Sequence, residues 1–502
     1  MRQALHIFKK DVRHLRFEIA IVLIVTAAFA FVSARRAFWL DDPGANRGPA
    51  WMMSQFLLPL AWWILIVRVI HTETLPGDRQ FWITRPYEWK SLLGAKLLFI
   101  AAFVNLPLLA ADVMIIGAYG FRPWAEIPGL LWRQVLCSVV FLLPVAVVCA
   151  VTSGLVQLLS AGFVVFVAVL VWSTALPGTT PGGSWGALDW VTLYYAILVA
   201  ALAALPILIW QYAARKTWAA RGVAAGAAIV AMLGGTLIPW TSAFAIQSRL
   251  SKQRFDVLAM HVEFDWERKW LARARVDRDE KQVQIELPLR ITGMPAGMDA
   301  KPDGLVMAIE APDGAVWRTT RKPWAQVSAD RFLSLYSDVD AAFYRKVKDV
   351  PVKLRGTFYF TVYGNSLATN IPSNSRYVAV PRMGRCAASG PTGGDGYFLL
   401  CGSAFRWEPA LVIARFVEPG KHAVNGIASH PLRRLQPLSY SPFPADLDIN
   451  PVSQFFSWTT SPTKLSEVVI QSEEPLAHVK REFEIDGLRL GEFEVKPTSV
   501  LR

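Results

Sequence analysis

The stretch QVLCSVVFLLPVAVVCAVTSGLVQLLSAGFVVFVAVLVWSTAL, residues 134–176, contains no charged side chain. A transmembrane helix needs about 20 mostly apolar residues, because the bilayer core holds no water to hydrogen-bond free backbone groups. The stretch is about twice as long as one span and therefore predicts two helices with a turn between them. We place that turn at Thr152, Ser153 and Gly154. A re-entrant segment is the alternative, and it would leave six spans in the chain instead of seven.

Other apolar runs lie on both sides of this stretch and carry few charges. Together they predict a membrane all-α helical bundle of about seven transmembrane helices in a domain at 1–249. The whole chain is 53% hydrophobic and only 18% charged, whereas soluble domains are about a quarter charged. The predicted spans are 17–34, 49–70, 95–118, 130–152, 155–176, 190–213 and 222–246.

Lysine and arginine are unevenly distributed among the predicted loops. With the amino terminus inside, the inner segments hold 13 of them and the outer segments hold six. Because cytoplasmic loops carry such an excess, the pattern favours a multi-pass protein of the cytoplasmic (cell inner) membrane with a cytoplasmic amino terminus. Seven spans then leave the carboxyl half outside the cytoplasm. The same rule accounts for the net charge of +13, so no nucleic-acid partner is expected.

Beyond Gln247, alternation of apolar and polar residues replaces the long apolar runs. The alternation at 283–289 and at 358–362 is typical of half-buried strands. Asp313 and Gly314, between two further short runs, indicate a hairpin. Short strands punctuated by proline and glycine predict a mainly-β, sandwich-like soluble domain at 279–502. Residues 250–278, rich in basic and aromatic side chains, are predicted to form a stalk.

Two cysteines in this second half, Cys386 and Cys401, flank a glycine-rich segment. This spacing allows a disulfide to close a small loop where the compartment is oxidising. Because the domain is predicted to be extracytoplasmic, we expect the two residues to form a disulfide.

The common catalytic signatures are absent or lie in the wrong context. The chain has no G-x-x-x-x-G-K-[ST] phosphate loop and is therefore not itself an ATPase. No histidine or cysteine spacing matches a metal site, and we expect neither a metal nor a cofactor. Residues 182–186 match G-x-S-x-G, but they lie in a predicted loop between spans instead of at a strand-to-helix turn. The sequence predicts no catalytic residue and no enzyme.

An ionisable residue, Asp112, lies within the third predicted span, a little beyond Asn105 and Pro107. Ionisable groups at membrane depth are costly and usually face protein or water instead of lipid. Asn105 and Asp112 are therefore candidates for the polar lining of a transport path. The alternative is a carboxylate close enough to the outer interface to stay hydrated.

The loop between the second and third predicted spans, 71–96, reads HTETLPGDRQFWITRPYEWKSLLGAK. It resembles the corresponding loop in permease subunits of type-2 ABC transporters. In that family an acidic residue closes the second span and a glycine follows it. A short helix then ends at a proline, before a leucine-rich re-entry that carries a lysine. The residues at the matching places are Glu73, Gly77, Arg85, Pro86 and Lys96.

The first 16 residues extend this resemblance, which covers about residues 1–213. Leu5, Phe8, Val12 and Leu15 recur at spacings of three and four, which predicts an amphipathic helix along the inner membrane interface. This helix is similar to the connecting helix of that family. The resemblance implies that the 71–96 loop docks into a groove of a separate P-loop ATPase subunit. It also implies assembly as a homodimer or heterodimer in the lipid bilayer.

These features together predict the membrane-spanning permease subunit of an ABC exporter-like complex, powered by a separate ATPase. A seventh span and a large soluble domain depart from the minimal six-span permease. The alternative is a non-transporting membrane anchor that displays an extracytoplasmic β-sandwich for binding.

Overall fold

The computed structural model consists of a helical amino-terminal half and a mainly-β carboxyl-terminal half. Both parts of the predicted fold class are therefore present. The structure describes residues 2–36, 52–73, 88–118, 120–175, 190–237, 240–253, 259–276, 281–318, 324–327, 332–372, 378–381, 384–389, 397–402, 411–417, 452–457 and 467–495.

Helix α1 corresponds to the predicted amphipathic helix, the next ten follow the predicted apolar runs, and one short helix, α12, lies in the β-rich half. They are α1 (Arg2–His14), α2 (Arg16–Arg36), α3 (Leu58–His71), α4 (Trp89–Ile100), α5 (Leu106–Ala118), α6 (Ile127–Cys137), α7 (Leu143–Val151), α8 (Leu155–Ala175), α9 (Trp190–Ala214), α10 (Thr217–Leu237), α11 (Trp240–Arg249) and α12 (Ala341–Val347).

Among the described residues, four helices are long and apolar enough to cross a membrane. They are Arg16–Arg35, Trp89–Ala118, Pro123–Val151 and Ile197–Ala214. Three shorter apolar helices accompany them: Leu58–His71, Leu155–Val164 and Thr217–Ala231. Each of these segments overlaps one of the predicted spans. The count of seven membrane crossings stays a prediction.

One helix boundary bears on the predicted spans. The turn predicted inside the long uncharged stretch is confirmed, because α7 ends at Val151 and α8 begins at Leu155. The last predicted span, 222–246, overlaps both α10 and α11, and residues 238–239 between these helices lie outside the described residues.

Three π-helical turns in the described helical half each precede a proline by two residues. The turns are Met53–Leu57, Ala101–Asn105 and Ser138–Leu142, before Pro59, Pro107 and Pro144. A proline ring clashes with the carbonyl group four residues before it. The extra residue of a π-helical turn moves that carbonyl aside, so the helix continues. As a result α4, its π turn and α5 form one apolar rod of 30 residues.

The described strands form three sheets in which neighbouring strands are antiparallel. The first sheet has the order β1–β3–β7–β6 with β2 also beside β3, the second β12–β14–β8–β4–β5, and the third β13–β11–β10–β9. The strands are β1 (His261–Phe264), β2 (Arg273–Val276), β3 (Gln282–Thr292), β4 (Asp299–Glu310), β5 (Val316–Arg318), β6 (Trp324–Val327), β7 (Phe332–Asp340), β8 (Val352–Pro372), β9 (Val378–Val380), β10 (Gly384–Ser389), β11 (Tyr397–Gly402), β12 (Leu411–Val417), β13 (Val452–Ser457) and β14 (Glu467–Leu488).

The first two sheets share one hydrophobic core, which gives the domain its sandwich-like character. Leu287 and Leu335 enter this core from the first sheet, and Phe358 enters it from the second. Burial alternates along β3, as the apolar alternation at 283–289 predicted, except at Pro288, which is also buried. The predicted strand at 358–362 lies within β8, and β4 pairs with β5 across the predicted hairpin.

The segment predicted as a stalk, 250–278, belongs in part to the first sheet. Its strands β1 and β2 both pair with β3. Val262, Phe264 and Ala274 are buried in the shared core and alternate with polar or charged neighbours. Each strand is only four residues long, too short for the alternation to stand out among the surrounding basic and aromatic residues.

Helix α11 joins the helical half to the β-rich half by packing near His478 of β14. The ring of Phe244 lies 4.9 Å from the ring of Tyr359 and 6.0 Å from that of His478, between centroids. Ser248 Oγ donates a 2.9 Å hydrogen bond to the His478 carbonyl, and the His478 N–H donates to Ser251 Oγ at 3.0 Å. The junction therefore combines ring packing with hydrogen bonds to the β14 backbone.

The imidazole of His478 is enclosed at this junction. Its Nδ1 atom lies 2.9 Å from Thr361 Oγ1, and that hydroxyl also contacts the buried carboxylate of Asp303. Burial lowers the pKa of His478 to about 4, so the imidazole is neutral at pH 7.

We predict that mild acid weakens the folded β-rich half through His478. Its pKa is lower in the folded chain than the ordinary value near 6.5, so the unfolded chain binds the proton first. Stability is therefore lost as the pH falls from about 6.5 toward about 4, by up to about 2 kcal/mol between pH 7 and pH 5. Thermal unfolding of the full-length protein in detergent at the two pH values should show a smaller loss for His478→Gln than for wild type. The exposed His261→Gln variant is the control, and equal losses for all three proteins would contradict the prediction.

Candidate functional site

Four charged side chains meet where α1 lies beside the end of α3 and the start of α4. Lys96 Nζ lies 2.8 Å from Asp11 Oδ2 and 3.1 Å from Glu73 Oε2. Lys10 also contacts Glu73, and its Nζ lies 3.8 Å from Asp11 Oδ1. The Asp11 side chain is fully buried, and only 3% of the Lys96 side chain is exposed. We call these four residues the ionic cluster, and their formal charges sum to zero.

The helical repeat of α1 positions Asp11. Ile7, Asp11 and Leu15 follow one another at four-residue intervals, and all three are fully buried. Phe8 packs beside them against Phe99 of α4, with ring centroids 6.2 Å apart. The carboxylate is therefore carried into the helix interface by the same face that packs the apolar side chains.

The carboxylate of Glu73 stays ionised inside the cluster. Burial by itself would raise the pKa of Glu73, but the ammonium groups of Lys96 and Lys10 outweigh that effect and lower it. The Glu73 backbone N–H donates to the carbonyl of Ile70, which fastens this residue to the last turn of α3. The negative charge is thus fixed at the point where the chain leaves α3.

Side chains from three other helices cap the end of α7 next to the cluster. A helix leaves its last carbonyl groups without partners in the helix itself. Here the three consecutive carbonyls of 149–151 accept hydrogen bonds from side chains of His71, Gln211 and Arg221, at 3.1, 3.3 and 2.9 Å respectively. The helix ends around the cluster are therefore joined by polar contacts as well as by apolar packing.

A second polar group lies deeper among the helices, between α5 and α6. Asp112 is fully buried, and its Oδ1 lies 3.5 Å from Nη1 of Arg133. Gln134 Nε2 donates to Asp112 Oδ2 at 3.3 Å, and Asn105 Nδ2 donates to Gln134 Oε1 at 3.2 Å. Asn105 also donates to Ser138 Oγ at 2.9 Å. We call these five residues the polar row, and one of its ends, Asn105 and Ser138, lies in two π-helical turns.

The structure brings together some of the predicted site residues. Glu73 and Lys96 share the ionic cluster, whereas Gly77, Arg85 and Pro86 of the same loop lie outside the described residues. Asn105 and Asp112 are linked through Gln134 in the polar row. Asp112 is fully buried and paired, which differs from the hydrated carboxylate considered as the alternative.

The two predicted disulfide partners lie on neighbouring strands. Cys386 of β10 and Cys401 of β11 are directly opposite each other in the antiparallel register. Opposite residues of such a pair have Cα atoms about 4.5–5.5 Å apart, within the range that a disulfide spans. The backbone geometry is therefore compatible with the predicted bond.

Sequence reasoning did not identify the ionic partners of Lys96 and Asp112, which are Asp11 and Arg133. Asp11 was hidden among basic residues, although it is the only acid of α1. The predicted apolar face included Leu5, which is 47% exposed, whereas the buried face runs through Asp11. Arg133 is one of the six basic residues that the sequence assigned to the outer segments, yet only 11% of its side chain is exposed. In each case the signal was a charge one or two turns inside an apolar or amphipathic run.

We predict that Lys96→Met destabilises the helical half by about 3 kcal/mol, because it leaves two buried carboxylates with only Lys10 to balance them. Lys90→Met on the same helix is the control, since Lys90 is exposed. Thermal unfolding in detergent measures both. The double variant Asp11→Asn/Lys96→Met removes one charge of each sign and should lose less stability than the sum of the two single variants. Equal stability of Lys96→Met and Lys90→Met would show that the cluster does not hold these helices together.

Comparison of the chain with protein-family models, with curated proteins and with solved structures found no match.

Proposed function

We propose that this chain is the membrane-spanning permease subunit of an ABC exporter-like complex, powered by a separate ATPase subunit. The observation that carries the proposal is the ionic cluster. Lys96 contacts Asp11 of α1 and Glu73 at the end of α3, two segments that resemble the connecting helix and the docking loop of type-2 permeases. A buried ionic contact between these two segments would couple movement of the loop to movement of α1 and of the helix that carries Lys96.

The cluster supports a route from the loop to the membrane-embedded helices. Lys96 belongs to the continuous rod formed by α4, its π turn and α5. Asp112 of the polar row lies on the same rod, about 24 Å farther along the helix axis at 1.5 Å per residue. Movement of the loop after Glu73 would therefore shift a rod whose other part carries the polar row. In this proposal Asn105 and Asp112 line or gate the transport path.

We further propose seven crossings, with the amino terminus in the cytoplasm and the β-rich half on the opposite side. The rod of 30 residues is about 45 Å long, which exceeds the roughly 30 Å hydrocarbon core, so its ends lie on opposite sides. Lys96 and the ionic cluster lie near one end. Just beyond the other end, the carbonyl of Gly120 accepts a 2.9 Å hydrogen bond from Nη1 of Arg385 in β10. This contact supports a β-rich half on the side opposite to the cluster.

We predict that a P-loop ATPase co-purifies with the wild-type chain from native membranes and that Arg85→Ala weakens its retention tenfold or more. The reason is that a hydrogen bond to a charged group contributes about 1.5–3 kcal/mol. Arg122→Ala, in the loop at the other end of the rod, is the control and should retain the ATPase. Glu73→Ala should lower both retention and thermal stability, because only 8% of its side chain is exposed and it balances Lys96 and Lys10.

Two outcomes would contradict this function. One is a wild-type preparation from which the ATPase is always absent, and the other is equal retention by Arg85→Ala and wild type. Either result would favour the non-transporting membrane anchor that displays the β-rich half.

We predict that Cys386 and Cys401 form a disulfide in the cell, because the β-rich half lies in an oxidising compartment in this proposal. Mass spectrometry after alkylation without reductant should find both thiols protected, while Cys137 and Cys149, which are buried and free, are alkylated only after unfolding. A cytoplasm-specific reporter fused after Arg502 should be inactive. Free thiols at both positions together with an active reporter would place the β-rich half in the cytoplasm.

A further inference from the structure

A cavity of about 670 Å³ lies beside the ionic cluster, between α1, α3 and the start of α8. Its volume falls within the range of small-ligand sites, about 300–1,000 Å³. One end is lined by Lys10, Asp11 and His71. The rest of the wall is mainly apolar and includes Trp63 and Ile64. The cavity is therefore amphipathic along its length.

The apolar part of the cavity extends along α3 toward the membrane-embedded part of that helix. From His71 back to Trp63 the helix axis rises about 12 Å. Val67 and Leu155 complete this wall. Ile64 is 43% exposed and Leu155 is 53% exposed, so the side of the cavity is open where apolar side chains face outward. An acyl chain from the surrounding bilayer fits such an opening.

The polar end of the cavity offers hydrogen-bond acceptors. Asp11 Oδ1 accepts no hydrogen bond from any described residue, and Asp11 itself is fully buried. His71 Nε2 lies 3.1 Å from the carbonyl of Cys149, and a carbonyl oxygen only accepts, so Nε2 is the donor. In the neutral imidazole Nδ1 is then a second acceptor. A ligand at this end must therefore bring N–H or O–H donors.

The charge is balanced when the ion-pair partners just outside the cavity are counted together with its lining residues. Within the ionic cluster two lysines balance two carboxylates, and Arg68 Nε donates to Glu18 Oε1 at 3.1 Å at the other side of the cavity mouth. The terminal nitrogens of Arg68 make no hydrogen bond or ion pair with the described residues and are available to an anion. Balanced charge gives no preference for an anionic ligand but suits one that carries both signs.

We propose that this cavity binds a phospholipid with a primary ammonium headgroup, phosphatidylethanolamine, with its acyl chain along Trp63 and Val67. The ammonium group donates to Asp11 Oδ1 and His71 Nδ1, and the phosphate lies between Lys10 and Arg68. A choline headgroup has no N–H donor and leaves both acceptors unsatisfied. A glycerol headgroup brings hydroxyl donors but a net negative charge that the balanced cavity does not attract.

The test uses the full-length chain in nanodiscs that hold phosphatidylethanolamine, phosphatidylcholine and phosphatidylglycerol in equal amounts with identical acyl chains. Native mass spectrometry after release counts the lipids that stay bound. Wild type should retain phosphatidylethanolamine over phosphatidylcholine by about tenfold, the ratio expected when one hydrogen bond to a charged group is lost. Asp11→Asn should remove this preference.

A second pair of variants keeps the test independent of the ionic cluster. Ile64→Trp fills the cavity and should lower the retention of every lipid. Leu60→Trp is the matched control, because Leu60 is one turn away on α3, is 50% exposed and does not line the cavity. Retention in proportion to the supplied lipids, displacement by phosphatidylglycerol, or equal effects of the two tryptophan variants would each overturn the proposal. None of these readouts depends on an ATPase partner, so this proposal and the proposed function fail separately.

Discussion

The bilayer core has no water, and a polar group buried among the helices must therefore find its partner inside the protein. The described contacts of the helical half follow from this constraint. The ionic cluster balances two buried carboxylates with two ammonium groups, and the polar row pairs Asp112 with Arg133. Even the last carbonyl groups of α7, which have no partner within the helix, accept hydrogen bonds from side chains of other helices. These polar contacts specify which helices pack against each other, because one apolar helix face can pack against almost any other apolar face.

The prolines show how the same constraint acts on the backbone. A break in a helix at membrane depth would leave free carbonyl and N–H groups, so Pro59, Pro107 and Pro144 are accommodated by π-helical turns instead. Two of these turns carry Asn105 and Ser138, which hydrogen-bond to each other. Two of the three described sites where the helices depart from regular α-helical geometry thus belong to the polar row.

The sequence predicted the helices and strands better than the tertiary contacts between them. Apolar run lengths located the helices, and alternation located β3 and β8, because both signals depend on neighbouring residues along the chain. The turn at Thr152–Gly154 followed from the length of one span. Charge pairing could not be read in this way, since Asp11 and Lys96 are 85 residues apart and no local pattern relates them. The same limitation hid β1 and β2, which both pair with β3, the second of them across the residues between Val276 and Gln282.

Asp11 takes part in both proposals, and this links them physically. Its Oδ2 accepts from Lys96, which also contacts Glu73 just after α3, while its Oδ1 is the acceptor that we propose for a lipid ammonium group. A ligand that binds Oδ1 competes electrostatically with Lys96 for the same carboxylate, so lipid occupancy and the position of Lys96 cannot vary independently. By linkage, any loop movement that pulls Lys96 away from Asp11 must change lipid affinity, and lipid binding must change the free energy of that movement by the same amount. The bilayer would then act on the loop through a single carboxylate, without any contact between the lipid and the loop itself.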